Sequence, residues 1–179
     1  MRLTLLAVSV AALALSSAAA AQAAEAPTEA KVELKGADGK VIGSAALKEA
    51  PHGVIFRIET KGLTPGWHGL HFHEKGDCGT PDFKSAGGHV HTSATVVHGL
   101  LNKDGNDSGD LPNLYVAADG TAMAELYSPM VSLSGAGGRP ALLDPDGSAI
   151  VIHANVDDHV SQPIGGAGDR VACGVMAAG

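Results

Sequence analysis

Apolar and polar residues alternate in short runs along most of this chain, and turn signals separate the runs. Lys31-Val-Glu-Leu-Lys35 and Phe56-Arg-Ile-Glu59 show the pattern: a period of two, which puts the apolar side chains on one face of a strand. Eight strands are predicted, near Ala30 to Gly36, Val41 to Lys48, Gly53 to Lys61, Trp67 to His73, Leu114 to Ala118, Thr121 to Tyr127, Ser148 to His153 and Val171 to Met176. Ala37-Asp-Gly-Lys40 and Ala118-Asp-Gly-Thr121 carry the Asp-Gly signal of tight hairpin turns. Helical periodicity is nearly absent, and the reading is an all-β sandwich or barrel. Three long connections interrupt it, at 74–112, 128–147 and 154–169. Loops of that length in a compact domain usually carry function. The Ser- and Gly-rich stretch Ser132 to Gly138 reads as a flexible loop.

The amino terminus follows a different pattern. Arg2, an apolar run from Leu3 to Leu15 and small residues ending in Ala21-Gln-Ala23 read as a secretory signal over 1–23. Residues 24–179 are then expected to form one exported domain, and no later stretch is apolar enough to serve as a membrane anchor. Cys78 and Cys173 are the two cysteines, and an oxidising compartment favours a disulfide between them over two buried thiols. The formal net charge of −7 argues against nucleic acid or anionic lipid as a partner.

Candidate chemistry lies in the histidines. His71 and His73 stand in Gly69-Leu-His-Phe-His-Glu74, where alternation sends both to one side and Leu70 and Phe72 to the other. His89, His91 and His98 follow in the first long loop, and His153 closes the run Ile150-Val-Ile-His153. Several imidazoles with little thiolate favour copper or zinc over an iron–sulfur cluster. His68 has the inward parity of Leu70 and reads as a hydrogen-bonded structural residue. His159, after Asp157 and Asp158, reads as loop-stabilising, and His52 as a surface residue.

Several motifs in order then resemble the bacterial, exported copper/zinc superoxide dismutases. They are Pro65-Gly-Trp-His-Gly-Leu-His-Phe-His-Glu-Lys-Gly-Asp-Cys78, Ala86-Gly-Gly-His89, Gly109-Asp-Leu-Pro-Asn-Leu114, Val151-Ile-His153 and Gly166-Ala-Gly-Asp-Arg-Val-Ala-Cys-Gly-Val175. The resemblance implies an eight-stranded Greek-key β-barrel, a sandwich architecture. It also implies a periplasmic enzyme that dismutates superoxide to dioxygen and hydrogen peroxide at copper cycling between Cu(II) and Cu(I). By family position copper falls to His71, His73, His89 and His153, and zinc to His89, His98 and Asp110, with His89 shared. Asp157 becomes the outer carboxylate holding His73 and His98, and Arg170 the cation that guides the anionic substrate.

The chain departs from the family at one place. A further zinc histidine usually stands three residues before the aspartate, and here Gly105-Asn-Asp-Ser-Gly-Asp110 puts Asp107 there. Asp107 could replace it, His91 could swing in, or zinc could be lost. The competing function is an exported copper or zinc binding protein without turnover. Monomer and homodimer both remain open.

Overall fold

The computed structural model describes residues 26–177. Among the described residues nine strands form: β1 (Glu29–Gly36), β2 (Val41–Ala50), β3 (Gly53–Thr60), β4 (Gly66–His68), β5 (Leu70–His73), β6 (Leu114–Val116), β7 (Ala122–Ser128), β8 (Ser148–His153) and β9 (Arg170–Met176). They make a seven-stranded sheet in the order β5-β8-β9-β1-β2-β3-β7, with β4 and β6 as a separate pair. Every pairing among them is antiparallel. The sheet curls around a main apolar core, with β6 against β7. The anticipated signal segment, 1–23, lies outside the described residues.

Alternation translates directly into burial. Val32 and Leu34 of β1, Ala45 and Leu47 of β2, and Phe56 and Ile58 of β3 point into the core, where Phe56 packs on Phe72 with ring centroids 5.4 Å apart. β8 is buried along its whole length. Its Ile150 and Ile152 face the main core, while Ala149 and Val151 join Phe83, Ala86 and Cys173 beneath the first long loop.

The single strand expected over Trp67 to His73 breaks in two at Gly69. The Gly69 amide donates to Asn155 O and its carbonyl accepts from the His153 amide, and a Cβ there would lie 2.8 Å from that of Ala167. Only glycine admits so close a neighbour. β4 accordingly pairs with β6, whereas β5 turns to pair with β8. The turn after Ala118 closes as expected, with Ala117 accepting from Gly120 and donating to Thr121, but it joins strands of different sheets and so is no hairpin.

The Ser132 to Gly138 stretch also differs from its reading as a flexible loop. Ser132 and Leu133 are fully buried, and Glu49 Oε2 accepts from Ser132 Oγ at 3.1 Å and from the Leu133 amide at 2.5 Å. One carboxylate from β2 thereby pins the loop. The Cys78–Cys173 disulfide is formed and ties the first long loop to β9.

Candidate metal centre

β5 and β8 are neighbours, so His71, His73 and His153 come from two adjacent strands at one end of the sheet. The first long loop then folds back across β5. Isolated antiparallel bridges pair His71 with Asp110 and His73 with His89. This return stacks the His71 and His89 rings with centroids 4.1 Å apart. His71, His73, His89, His98, His153, Asp107, Asp110 and Asp157 are all buried.

Each imidazole is oriented through one nitrogen, which leaves the other defined. His73 Nδ1 donates to Gly87 O and His153 Nδ1 to Gly168 O, both at 3.0 Å. His71 Nε2 donates to Asp157 Oδ2 at 2.9 Å. His89 Nδ1 lies 2.7 Å from Asp107 Oδ2. The nitrogens opposite these, His71 Nδ1, His73 Nε2, His89 Nε2 and His153 Nε2, are buried without any hydrogen-bond partner. Ligand-capable atoms of these four residues lie within 4.8 Å of one another, close enough for one ion. A hydrogen bond at one ring nitrogen commits the lone pair of the other, and metal-binding histidines are held in this way.

A second group adjoins the first through His89. It contains His71, His89, His98 and Asp110 within the same span. His71 Nε2 is already engaged by Asp157, so the atoms that meet here are His89 Nδ1, His98 Nδ1 and carboxylate oxygens. Asp110 Oδ1 is 2.6 Å from His98 Nδ1 and 3.4 Å from His89 Nδ1, and Asp107 Oδ2 is 3.9 Å from His98 Nδ1. His91 stands apart, side-chain half-exposed, with Nε2 3.9 Å from Glu74 Oε2.

Asp157 holds a different pair from the one anticipated. It joins His71 to His98, with Oδ1 3.1 Å from His98 Nε2, while His73 is held by the Gly87 carbonyl. The bridges give the reason. His71 sits opposite Asp110 beside the second group, whereas His73 sits one pair further along β5, under the loop that carries Gly87. Asp157 is itself clamped: Asn113 Oδ1 accepts from its amide at 2.9 Å, and Asn113 Nδ2 donates to its carbonyl at 2.8 Å. His159, in a left-handed conformation, donates its amide to Asp157 Oδ1.

Electrostatics divide the two groups. Burial pushes His73 down to about 2 and His153 down to about 3, helped by the neighbouring imidazoles and Arg170. Burial also lowers His71, against the pull of Asp157. In the second group burial again works against protonation, but the carboxylates outweigh it. Asp107 and Asp110 raise His89, and Asp110 and Asp157 raise His98 to about 10. Burial would raise Asp110 and Asp157, yet the hydrogen bonds from their histidines hold both well below the usual carboxylate range.

A cleft of about 360 Å³ opens onto the first group, lined by His73, His89, His153, Asp107, His91 and Arg170. Arg170 Nη1 donates to Phe83 O at 2.7 Å and Nη2 to Gly87 O at 2.6 Å. Phe83, Gly87 and Gly168 act through backbone carbonyls, which no side-chain motif announces. Asn113 lies within the Gly109 to Leu114 motif, but its hold on Asp157 depends on contacts 44 residues apart. His68, read as structural, is buried with Nδ1 donating to His153 O at 2.6 Å.

Residues 41–176 match the family described as copper/zinc superoxide dismutase (SODC). The chain belongs to this family. It is 73% identical over 143 residues to the Cu-Zn superoxide dismutase of Caulobacter vibrioides, covering 80% of this chain and 82% of that protein. A Cu-Zn superoxide dismutase of Aquifex aeolicus is 42% identical, covering 83% and 86%. Among solved structures, that of a superoxide dismutase-like protein from Bacillus subtilis superposes with a TM-score of 0.76 at 39% identity, covering 82% of this chain and 97% of that one. The family's β-barrel is therefore the architecture described above.

Proposed function

We propose that this protein is a dismutase that converts two superoxide anions into dioxygen and hydrogen peroxide, with copper in the first group and zinc in the second. The observation that carries this reading is the cluster of four bare, buried ring nitrogens. A buried polar group without a partner costs about 1–3 kcal/mol, so four together are compensated by a cation and by little else. An all-imidazole set suits copper, and imidazole with carboxylate suits zinc.

Copper would be held by His71 Nδ1, His73 Nε2, His89 Nε2 and His153 Nε2. Zinc would be held by His89 Nδ1, His98 Nδ1, Asp110 Oδ1 and Asp107 Oδ2. An aspartate oxygen and a histidine Nδ1 are equally many bonds from Cβ, so Asp107 supplies a donor where the family usually has a histidine. When bound, copper supplies a one-electron couple that works on superoxide in both directions, and redox-inert zinc supplies charge and geometry.

The chain's own residues do the rest. Arg170, with its guanidinium held by two carbonyls, attracts the anion to the cleft and orients it. Charge focused in a cleft raises association rates by about 10 to 1,000-fold. His89, with one nitrogen in each group, would hold a proton at Nε2 in the part of the cycle in which that atom is not a metal donor and pass it to the reduced substrate, the second proton of hydrogen peroxide coming from water. Asp157 and Gly87 O keep the flanking imidazoles in the required tautomers.

A storage protein has no use for a fixed guanidinium beside the site, which favours the enzyme. The relatives named as dismutases favour it too. The signal-like residues 1–23 and the disulfide support export to the periplasm. The test is superoxide loss catalysed by purified protein at measured copper and zinc occupancy. Catalysed loss is expected; none at full copper occupancy would overturn the enzyme in favour of the binding protein.

A further inference from the structure

Five of the nine histidines lie in the two metal groups, the His68 ring meets two backbone carbonyls, the His159 ring meets Asn113 through Nε2 at 3.0 Å, and His52 is on the surface. His91 remains. Val90 beside it is turned into the core, so His91 faces the cleft along with His89. Its side chain is 35% exposed, and the carboxylate opposite, Glu74, is 42% exposed. Glu74 is no free rotor, because its Oε1 accepts from the Gly88 amide at 3.1 Å. That leaves Oε2 directed at His91 Nε2, 3.9 Å away.

The separation is too long for a hydrogen bond. It is a little wider than two donors of one ion: with tetrahedral zinc bonds of about 2.0–2.2 Å, donor atoms stand about 3.3–3.6 Å apart, which a small turn of the exposed His91 ring reaches. The position matters as well. The cleft is lined by His89 and Asp107 but by neither His98 nor Asp110, so Asp107 marks the open side of the second group, and His91 lines the same cleft. Arg170 shares that cleft and repels an arriving cation, which an imidazole and a carboxylate at the rim offset.

We propose that His91 and Glu74 form a transient docking site through which zinc(II) passes to and from the second metal group. With two protein donors and water for the rest, it binds weakly. A way station of this kind lowers the barrier without changing either end state, so it speeds loading and release equally.

The inference rests on the zinc reading above, and the test separates the two. Zinc release from the metal-loaded protein into a chromophoric chelator, and zinc uptake by the zinc-depleted protein, are timed for the wild type, His91→Ala and Glu74→Gln. Glu74→Gln keeps an acceptor for the Gly88 amide while removing the charge. Both rates are expected to fall by about tenfold in each variant, with the dissociation constant and final zinc content unchanged. Unchanged rates overturn the proposal. Faster release with weaker binding also overturns it, because His91 would then be a resident ligand. A wild type that takes up no zinc removes the zinc reading itself, and this inference with it.

Discussion

Arg170 Nη2 and His73 Nδ1 donate to the same acceptor, the carbonyl oxygen of Gly87, at 2.6 and 3.0 Å. One backbone atom therefore sets both the orientation of a candidate copper ligand and the position of the guanidinium that lines the cleft. Gly87 has φ of +75°, and a Cβ there would lie 2.6 Å from Glu74 Oε1, so the loop that aims this carbonyl requires glycine.

Arg170→Lys keeps the charge but loses the fork that spans Phe83 O and Gly87 O. The expected outcome is a fall in kcat/KM for superoxide of about tenfold at low ionic strength, larger for Arg170→Ala. Wild-type activity should decline as salt rises while the Ala variant responds less. Identical salt profiles would refute the guiding role.

Asp107 is the residue on which the zinc assignment turns. Asp107→Ala should release zinc at least about tenfold faster into a chelator, as loss of even outer partners costs metal sites about 10 to 100-fold. Asp107→His should also change zinc retention. Equal retention in wild type, Ala and His variants would show that Asp107 is no ligand.

Asn113 touches neither metal group, yet it holds the Asp157 backbone at both its amide and its carbonyl. Asn113→Ala should let the Asp157 carboxylate drift from His71 and His98 and lower zinc affinity by about tenfold. The copper electron paramagnetic resonance spectrum should shift with it, since His71 loses its partner. A variant that is merely less stable, with unchanged zinc affinity and spectrum, would contradict this.

The metal-free protein should lose stability as pH falls below about 6.5. Unfolded histidines take up protons there, whereas folded His153 resists until about 3 and His73 until about 2. The unfolded state thus binds more protons, and each histidine withdraws on the order of 1 kcal/mol per pH unit. His98, raised to about 10, contributes stability that is fully present below 6.5 and declines only as pH rises toward 10, so it does not offset the acid loss. Thermal unfolding of metal-free protein between pH 4 and about 6.5 should show a steadily falling Tm toward acid. A flat Tm would refute the neutral, buried state of these imidazoles.

Reduction of the disulfide frees a closed loop of 95 residues, worth about 4–5 kcal/mol by chain entropy. The loop carries Phe83 and Gly87, so dismutase activity should fall with an altered salt dependence, as for the Arg170 variants. Activity and unfolding midpoint both unchanged after reduction would refute the link.

Strand positions, the alternation of core residues and the histidines were legible because a period of two is a local property of the chain. The break at Gly69 was visible as a glycine in a strand, but its effect, two strands assigned to different sheets, depends on Ala167 and Asn155 nearly a hundred residues away. Asp157 was legible as a carboxylate for orienting histidines, yet its partners were misassigned between His71 and His73. Those two residues share a face in sequence, and only the return of the loop past Asp110 and His89 tells them apart.

Local chemistry in the chain was enough to declare donor types, an all-β architecture and a cysteine pair, because side-chain identity and alternation need no third dimension. Which ring nitrogen is left bare, which carbonyl holds Arg170 and which carboxylate faces His89 came only with packing. These depend on tautomers and backbone carbonyls brought together across long loops, and carbonyls carry no side-chain signature.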